Sequence, residues 1–379
     1  MKRVKRALLF ISLLMVLSEA TNATTIFARQ YNMTCGACHI GVPPTLNATG
    51  EQFLRNGMRF SQSDTTTLQR FLAKEESLIP FGMFAGIGRM NMEAKLQTKQ
   101  GSVTQSNDVH NPIVTFFLAG SLSEHFSIFL GSQYVYAQKT QQDKTKEFRR
   151  NRSKAYLQYN HGSEQIVRGG IIYLYPETSR NSGLSSIPNL FISPLDRGIT
   201  KPLHGAEYAY YTENGWKFLV AAGVMGDANS EQSMLTQIEY LADNYSLSLI
   251  ANNITETRDE TQIANYTPEE ITFGERFSLM MPLEYQFDYG YLNVTGLYEN
   301  NKRVSTGEYF GIESSFTVPI FESANLRYIY TQDNEEGVGH SFRYAHIIDN
   351  KLFVNVNYAS VDTPKGSFDT FVVGVNFIY

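Results

Sequence analysis

The last nine residues of the chain read Phe371-Val372-Val373-Gly374-Val375-Asn376-Phe377-Ile378-Tyr379. Every second residue, counted from Phe371, is large and apolar, and the residues between are smaller or more mixed. Because side chains alternate between the two faces of a β-strand, this pattern gives a strand one apolar face. The stretch also ends on an aromatic residue, as outer-membrane proteins commonly do. These features favour a strand of a membrane β-barrel, whose outer face meets lipid.

The same alternation recurs along the chain, and we predict an all-β fold: a 16-stranded, porin-like outer-membrane β-barrel over residues 81–379. The 25 Phe and 23 Tyr residues suit strands. A soluble β-sandwich or propeller is the alternative, since strands alternate there too. The predicted strands are 81–97, 111–123, 125–138, 154–162, 165–174, 205–213, 216–225, 234–242, 245–256, 271–287, 291–301, 308–320, 324–332, 340–348, 351–361 and 367–379.

The connections between the predicted strands alternate in length. Those after even-numbered strands are tight, as at Glu213-Asn214-Gly215 and Asp349-Asn350. Those after odd-numbered strands are generally longer and more polar. Short periplasmic turns and longer extracellular loops produce this asymmetry in outer-membrane barrels. The longest connection, residues 175–204, would either narrow the lumen or form a surface loop.

Residues 1–23 have the features of a secretory signal peptide. Basic residues precede an apolar run at 7–17, which is too short to span a bilayer, and small residues follow at Ala20 and Ala23. Removing this peptide takes four of the 32 basic and one of the 37 acidic residues, which leaves a formal charge of −8. That charge argues against a nucleic-acid partner.

A five-residue motif, Cys35-Gly36-Ala37-Cys38-His39, follows the signal peptide. Cys-x-x-Cys-His is the attachment pattern of a c-type haem, with two thiols bonded to the haem and the histidine as proximal iron ligand. These are the only two cysteines of the chain. A thioredoxin-like dithiol or a chance match are the alternatives, and a dithiol would need a βαβ context that is absent. We therefore predict one covalent haem c.

The predicted haem segment, residues 24–63, is too short for a hydrophobic core of its own. We expect it to pack against the barrel mouth or to enter the lumen. Residues 64–80 are predicted as a linker with helical character, since Leu68, Phe71, Leu72 and Leu78 are spaced for one apolar face.

The sequence around the motif resembles the fused monohaem cytochrome–porins of the bacterial outer membrane, whose best-known members are the outer-membrane Fe(II)-oxidising cytochromes. The chain departs from many members of that family at Met58, which follows Gly57 where they have an aromatic residue. The resemblance covers about thirty residues at the level of motifs and depends on Phe27-Ala28-Arg29, Cys35, Cys38, His39, Pro44, Leu46-Asn47, Gly50, Phe53 and Gly57.

The resemblance implies that extracellular Fe(II) gives an electron through the single haem to a periplasmic c-type cytochrome or another carrier. As an enzyme, the protein would then be an iron:cytochrome c oxidoreductase. Two alternatives stay open: a cytochrome–porin that uses another donor or exports electrons, and a diffusion porin whose haem segment is a plug or sensor. In each case the barrel would contact outer-membrane lipid and lipopolysaccharide, with the haem segment on the periplasmic side or in the lumen.

The distal haem ligand is the least specified part of this site. Met58 is the first candidate, His204 is another, and the iron could also be five-coordinate. Met33 lies only two residues before Cys35. The other histidines are expected to be ordinary surface or lumen residues: His110, His125, His161, His340 and His346.

Three charged regions are expected in external loops. Acidic residues at 256–270 and 333–336 would attract Fe(II), which prefers hard oxygen ligands, although solvated loops are the simpler interpretation. A basic run at 144–154, after the third strand, would suit the phosphates of lipopolysaccharide, again unless it is an ordinary solvated loop.

Overall fold

The structure is a computed structural model. None of the described helices is long and apolar enough to cross a membrane. The described residues are 26–34, 37–38, 46–61, 63–74, 81–98, 101–138, 146–172, 203–225, 231–256, 275–287, 290–301, 307–321, 324–333, 337–348, 352–363 and 366–378.

Sixteen antiparallel strands form a closed barrel in which each strand pairs with its neighbours in sequence and β16 pairs with β1. The predicted number of strands and the predicted fold class are confirmed. The strands are β1 Phe81–Thr98, β2 Gly101–Ser121, β3 Phe126–Gln138, β4 Lys146–His161, β5 Gln165–Ile172, β6 Leu203–Tyr211, β7 Trp216–Met225, β8 Glu231–Leu241, β9 Tyr245–Glu256, β10 Glu275–Phe287, β11 Gly290–Asn301, β12 Gly307–Phe321, β13 Ala324–Asp333, β14 Val338–Ile348, β15 Leu352–Thr363 and β16 Gly366–Ile378.

Two strands begin eight or more residues earlier than predicted. β2 begins at Gly101 rather than at 111, and β4 begins at Lys146 rather than at 154. Most of the basic run is therefore part of β4, and its assignment to a loop after the third strand was wrong. Both extensions are polar, so their side chains do not show the alternation of a lipid-facing strand. Backbone pairing, as between Gln138 and Lys146, continues the ladder regardless of side-chain polarity.

The strand faces divide as the period-two pattern predicts. On β9, Leu247 and Leu249 face outward and are exposed, while Ser246 and Ser248 face the lumen and are buried. Aromatic rings near the short turns add to the outer surface: the Trp216 and Tyr240 centroids lie 5.1 Å apart, and Tyr240 continues to Tyr245 at 5.9 Å. An apolar outer band with aromatic residues at its edge is the exterior of a transmembrane barrel.

Three short helices precede the barrel: α1 Ile26–Tyr31, α2 Ala48–Arg55 and α3 Thr67–Leu72. The Asn47 side chain caps α2 by accepting a hydrogen bond from the Gly50 amide at 2.9 Å. Thr66 and Gln69 form a capping box at the start of α3. Within the predicted linker, Leu68 is buried and Leu72 is exposed, while Leu78 lies outside the described residues.

Leu249 tests which face of the wall meets lipid. It lies near the middle of β9, facing outward, with 44% of its surface exposed. We expect Leu249→Arg to destabilise the barrel by about 2–4 kcal/mol, because a charge on the lipid face must leave water. Urea titration of refolding into lipid vesicles measures this difference, and Leu249→Met is the control. Equal stability of the two variants would contradict a lipid-facing position.

Candidate functional site at the short-turn mouth

The N-terminal segment is attached to the end of the barrel that carries the short turns. The guanidinium of Arg59 reaches the β2–β3 turn, and that of Arg55 reaches the β4–β5 turn. These turns follow even-numbered strands and were predicted to be periplasmic. The described residues between 46 and 74 therefore lie at the mouth that would face the periplasm, as expected from the small size of the segment.

Arg59 is the most deeply buried charge of this contact, with 2% of its surface exposed. Its Nε donates to the Asn56 carbonyl at 2.9 Å, and its two terminal nitrogens donate to the carbonyls of Ser123, at 3.3 Å, and Glu124. Burial lowers the pKa of Arg59 from its usual value. Backbone carbonyls thus compensate a desolvated guanidinium and hold the segment against the turn.

A second set of contacts anchors the end of α2 to the inner wall. The guanidinium of Arg55 lies 3.9 Å from the ring centre of Tyr211 on β6, a cation–π distance. The Arg55 carbonyl accepts a hydrogen bond from the Asn160 side chain, and the Leu54 carbonyl accepts one from Gln158 at 3.1 Å. The last carbonyls of a helix lack partners within it, and here the barrel wall supplies them.

The chain turns sharply after α2 and passes close to β2 and β3. Gly57 and Met58 both have left-handed backbones, with φ of +74° and +64°. A Cβ on Gly57 would lie 3.1 Å from the Ser127 hydroxyl oxygen, so a side chain there would be both strained and crowded. Ser121 completes the contact: its hydroxyl donates to the Gly57 carbonyl at 2.6 Å, and its carbonyl accepts from Thr66 at 3.0 Å.

Four aromatic rings form an apolar cluster beside α1 and α2. Phe53 lies at its centre, with ring centroids 5.0 Å from Phe27, 5.7 Å from Tyr31 and 4.9 Å from Phe60. Burial and the nearby Asp64 carboxylate raise the pKa of Tyr31 to about 12. Edge-on ring packing of this kind adds to the stability gained by burial.

The described residues of the predicted haem motif lie against the start of α2. Cys35 and His39 lie outside the described residues, whereas Cys38 is described, partly buried and not in a disulfide. Burial raises the pKa of its thiol. Asn47 fixes the motif to α2, since its amide donates to the Cys38 carbonyl at 3.0 Å and its side chain to the Ala37 carbonyl at 3.1 Å. A free, partly buried thiol held next to the helix that carries Phe53 fits covalent attachment of an apolar macrocycle.

The candidate distal ligands have different positions. Met58 is fully buried, within the same apolar cluster as Phe53, and its role as iron ligand stays a prediction. His204 lies on β6 rather than in a loop and faces outward, so it does not point into the lumen. The other histidines lie on strands or turns as expected; His340 and His346 bind the hydroxyls of Tyr328 and Tyr344 on the outer face.

The long connection and most of the charged loops fall outside the described residues. This holds for the region between Ile172 and Leu203, and for the acidic regions beyond Glu256 and Asp333, which end β9 and β13. Their proposed contacts with Fe(II) therefore stay predictions. Of the basic run, Lys154 is described: its ammonium lies 4.5 Å from the Phe129 ring centre inside the barrel.

Polar side chains inside the barrel connect the segment to the wall, and the sequence did not single them out. Gln158, which binds the end of α2, accepts a hydrogen bond from Arg168 at 2.8 Å. Arg168 also pairs with Glu207 at 3.2 Å, and Lys217 pairs with Glu239 at 2.8 Å. Polar residues at alternate positions of β4 to β8 are visible in the sequence. Which of them become partners depends on strand register, so the contacts could not be predicted.

No protein-family model matches the chain, and no curated protein sequence matches it. Solved structures do. OmpF of Salmonella typhi, in complex with daunomycin, is 12% identical, with a TM-score of 0.53 over 78% of this chain and 97% of that one. A loop-deletion mutant of OmpT from Vibrio cholerae is 9% identical, with a TM-score of 0.52 over 79% of this chain and 99% of that one.

The barrel has the porin fold. Its closed backbone, its apolar outer band and this likeness together make the protein an integral outer-membrane β-barrel. The porin-like barrel accounts for about four-fifths of the chain, and the helices at its mouth precede it.

Arg59 tests how the segment is held in the porin-like barrel. We expect Arg59→Met to weaken the contact by about 2–4 kcal/mol, because it removes charge-assisted hydrogen bonds to buried carbonyls. Limited proteolysis in detergent should then cut the segment several-fold faster while the barrel stays resistant. Lys74→Met, which removes an exposed cation after α3, should leave the cleavage rate unchanged. Equal rates for Arg59→Met and the parent would show that Arg59 does not anchor the segment.

Proposed function

We propose that this porin-like barrel carries one c-type haem at its periplasmic mouth and transfers electrons from extracellular Fe(II) to a periplasmic c-type cytochrome or another carrier. One observation carries the proposal. The predicted haem-attachment motif is hydrogen-bonded, through Asn47, to a helix whose other end is anchored to the barrel wall. A haem bound at Cys38 would therefore be held at the short-turn mouth.

The residues of the motif would divide the work of holding the haem. Cys35 and Cys38 would supply the two thioether bonds, and His39 the proximal nitrogen ligand. The haem supplies one-electron chemistry when bound. The rings of Phe27 and Phe53 would exclude water from one side, and the surrounding polarity and burial would set the reduction potential.

A single haem is small beside a hydrocarbon layer of about 30 Å, so one partner must approach it through the lumen. The described lumen-facing side chains of β7 to β12 include many polar residues, such as Glu239, Glu284 and Asn293. A hydrated metal cation is compatible with such a wall, because oxygen ligands can replace part of its water shell. The carrier would approach from the side of the short turns.

Fe(II) reduction of the haem is the direct test. We expect anaerobic mixing of oxidised protein with Fe(II), at a pH where Fe(II) is soluble, to give the spectrum of reduced c-type haem. The Cys35→Ala/Cys38→Ala variant should fold but hold no covalent haem, since the thioether bonds cannot form. Haem-stained denaturing gels check attachment, and heat-dependent gel mobility checks the barrel.

Two results would contradict the proposal. Absence of covalent haem in the parent protein would remove the redox function altogether. Covalent haem that Fe(II) does not reduce, with a strongly negative midpoint potential, would instead favour another donor or electron export.

The porin fold favours a second candidate function, a diffusion porin with a haem-bearing plug. The observation that favours this function is the position of the N-terminal segment, which contacts the β2–β3 and β4–β5 turns at one mouth. In this case the haem would serve to fold or to regulate the plug, and solutes would cross when it moves.

Conductance separates the two functions. If the segment is a plug, a chain lacking residues 26–74 should form pores in planar bilayers with conductance several-fold above that of the full chain. For comparison, Arg59→Met keeps the whole segment but loosens it, so the pore of this variant should be open more often than that of the parent. Equal conductance of all three proteins would contradict the plug function and leave the proposed electron transfer untouched.

A further inference from the structure

Two arginines face each other on the lumen side of neighbouring strands. Arg327 on β13 and Arg343 on β14 are directly opposite in the register of the sheet. Both are largely buried, with 7% and 9% of their surfaces exposed. Two cations at directly opposed positions repel each other, and cross-strand pairs of like charge are destabilising.

The two guanidiniums differ in their partners. Arg327 donates to the Ser315 hydroxyl at 2.8 Å. Arg343 has no hydrogen-bond or ion-pair partner in the part of the chain that the structure describes, and its Nε is buried. Its other cross-strand neighbour is Asn357 on β15, whose side-chain oxygen accepts from Ser341 at 2.8 Å instead.

Two other buried cations of the described wall have carboxylate partners, unlike Arg343. Arg168 pairs with Glu207, and Lys217 pairs with Glu239. The residues directly opposite Arg343 on its two neighbouring strands are Arg327 and Asn357, so no carboxylate faces it across the sheet. A buried charge without a partner is unfavourable, so for Arg343 we expect a partner from outside the described wall.

We propose that Arg327 and Arg343 form a binding site for a small oxyanion, a carboxylate or phosphate group, on the lumen wall. The planar guanidinium presents two parallel N–H donors that match two oxygens of such a group, and a second guanidinium binds its remaining oxygens. An anion between the arginines converts their repulsion into two attractive contacts. Ser315 and Asn357 flank the pair and define its edges.

The oxyanion has two chemical sources in this protein. It is either a solute in the lumen, for which inorganic phosphate is the probe, or a propionate carboxylate of the proposed haem. The site itself depends only on barrel residues, so it does not rest on the proposed electron transfer.

Phosphate titration calorimetry of the full chain in detergent tests the site, with the haem-free Cys35→Ala/Cys38→Ala chain measured in parallel. We expect Arg343→Gln to weaken phosphate binding by about tenfold or more, since hydrogen bonds between charged groups are lost. Arg343→Lys keeps the charge but lacks the two parallel N–H donors, so its phosphate affinity should lie between those of the parent and Arg343→Gln. The control is Arg168→Gln/Glu207→Gln, which removes a paired cation together with its acid and should leave binding within about twofold.

The two chains distinguish the sources. Arg343-dependent binding of equal strength in both chains assigns the site to a solute anion. Binding in the haem-free chain only, together with a shift of the haem potential in Arg343→Gln, assigns it to a propionate. The proposal is overturned if neither chain binds phosphate in a manner that depends on Arg343 and the haem potential of Arg343→Gln equals that of the parent. Heat-dependent gel mobility confirms that each variant is folded.

Discussion

The need to pair every backbone amide and carbonyl within lipid dominates this structure. An open sheet would leave two edges unpaired in hydrocarbon, and the pairing of β16 with β1 removes both. Once the wall is closed, alternation of side chains sends apolar residues outward and polar residues into the lumen. The lumen therefore has to accommodate charges such as Arg168 and Glu239, and their pairing becomes part of the barrel's stability.

A closed wall still leaves two mouths, and the N-terminal segment uses the one with short turns. Its attachment relies on groups that a barrel end always offers, the carbonyls of tight turns. Arg59 binds two of them, and Ser121 and Gln158 bind carbonyls of the segment in return. Since donors and acceptors come from both partners, the contact satisfies polar groups that neither part could satisfy alone. The predicted haem motif is hydrogen-bonded to α2, so this contact also determines where the described part of the motif lies.

The buried cations of the described wall and mouth have three kinds of surroundings. Arg59 is surrounded by neutral carbonyls, Arg168 and Lys217 have carboxylate partners, and Arg343 faces another arginine. The first two arrangements are complete within the chain and serve structure. The third leaves Arg343 without a partner among the described residues, which is why we propose an anion there. The same reasoning does not apply to outward-facing charges, where water or lipid headgroups are available.

The alternation of apolar residues, a property of each strand by itself, was enough to predict sixteen strands and a barrel from the sequence. It failed at the starts of β2 and β4, where polar side chains hide strands that backbone pairing alone extends. A c-type haem could be predicted because Cys35, Cys38 and His39 are close together in the chain, and it stays a prediction. Tertiary structure alone decided the rest. Arg59 meets a turn 65 residues away, and Arg343 meets Arg327 only in one register of β13 and β14. Such contacts depend on which residues closure brings opposite each other, and no local pattern encodes that.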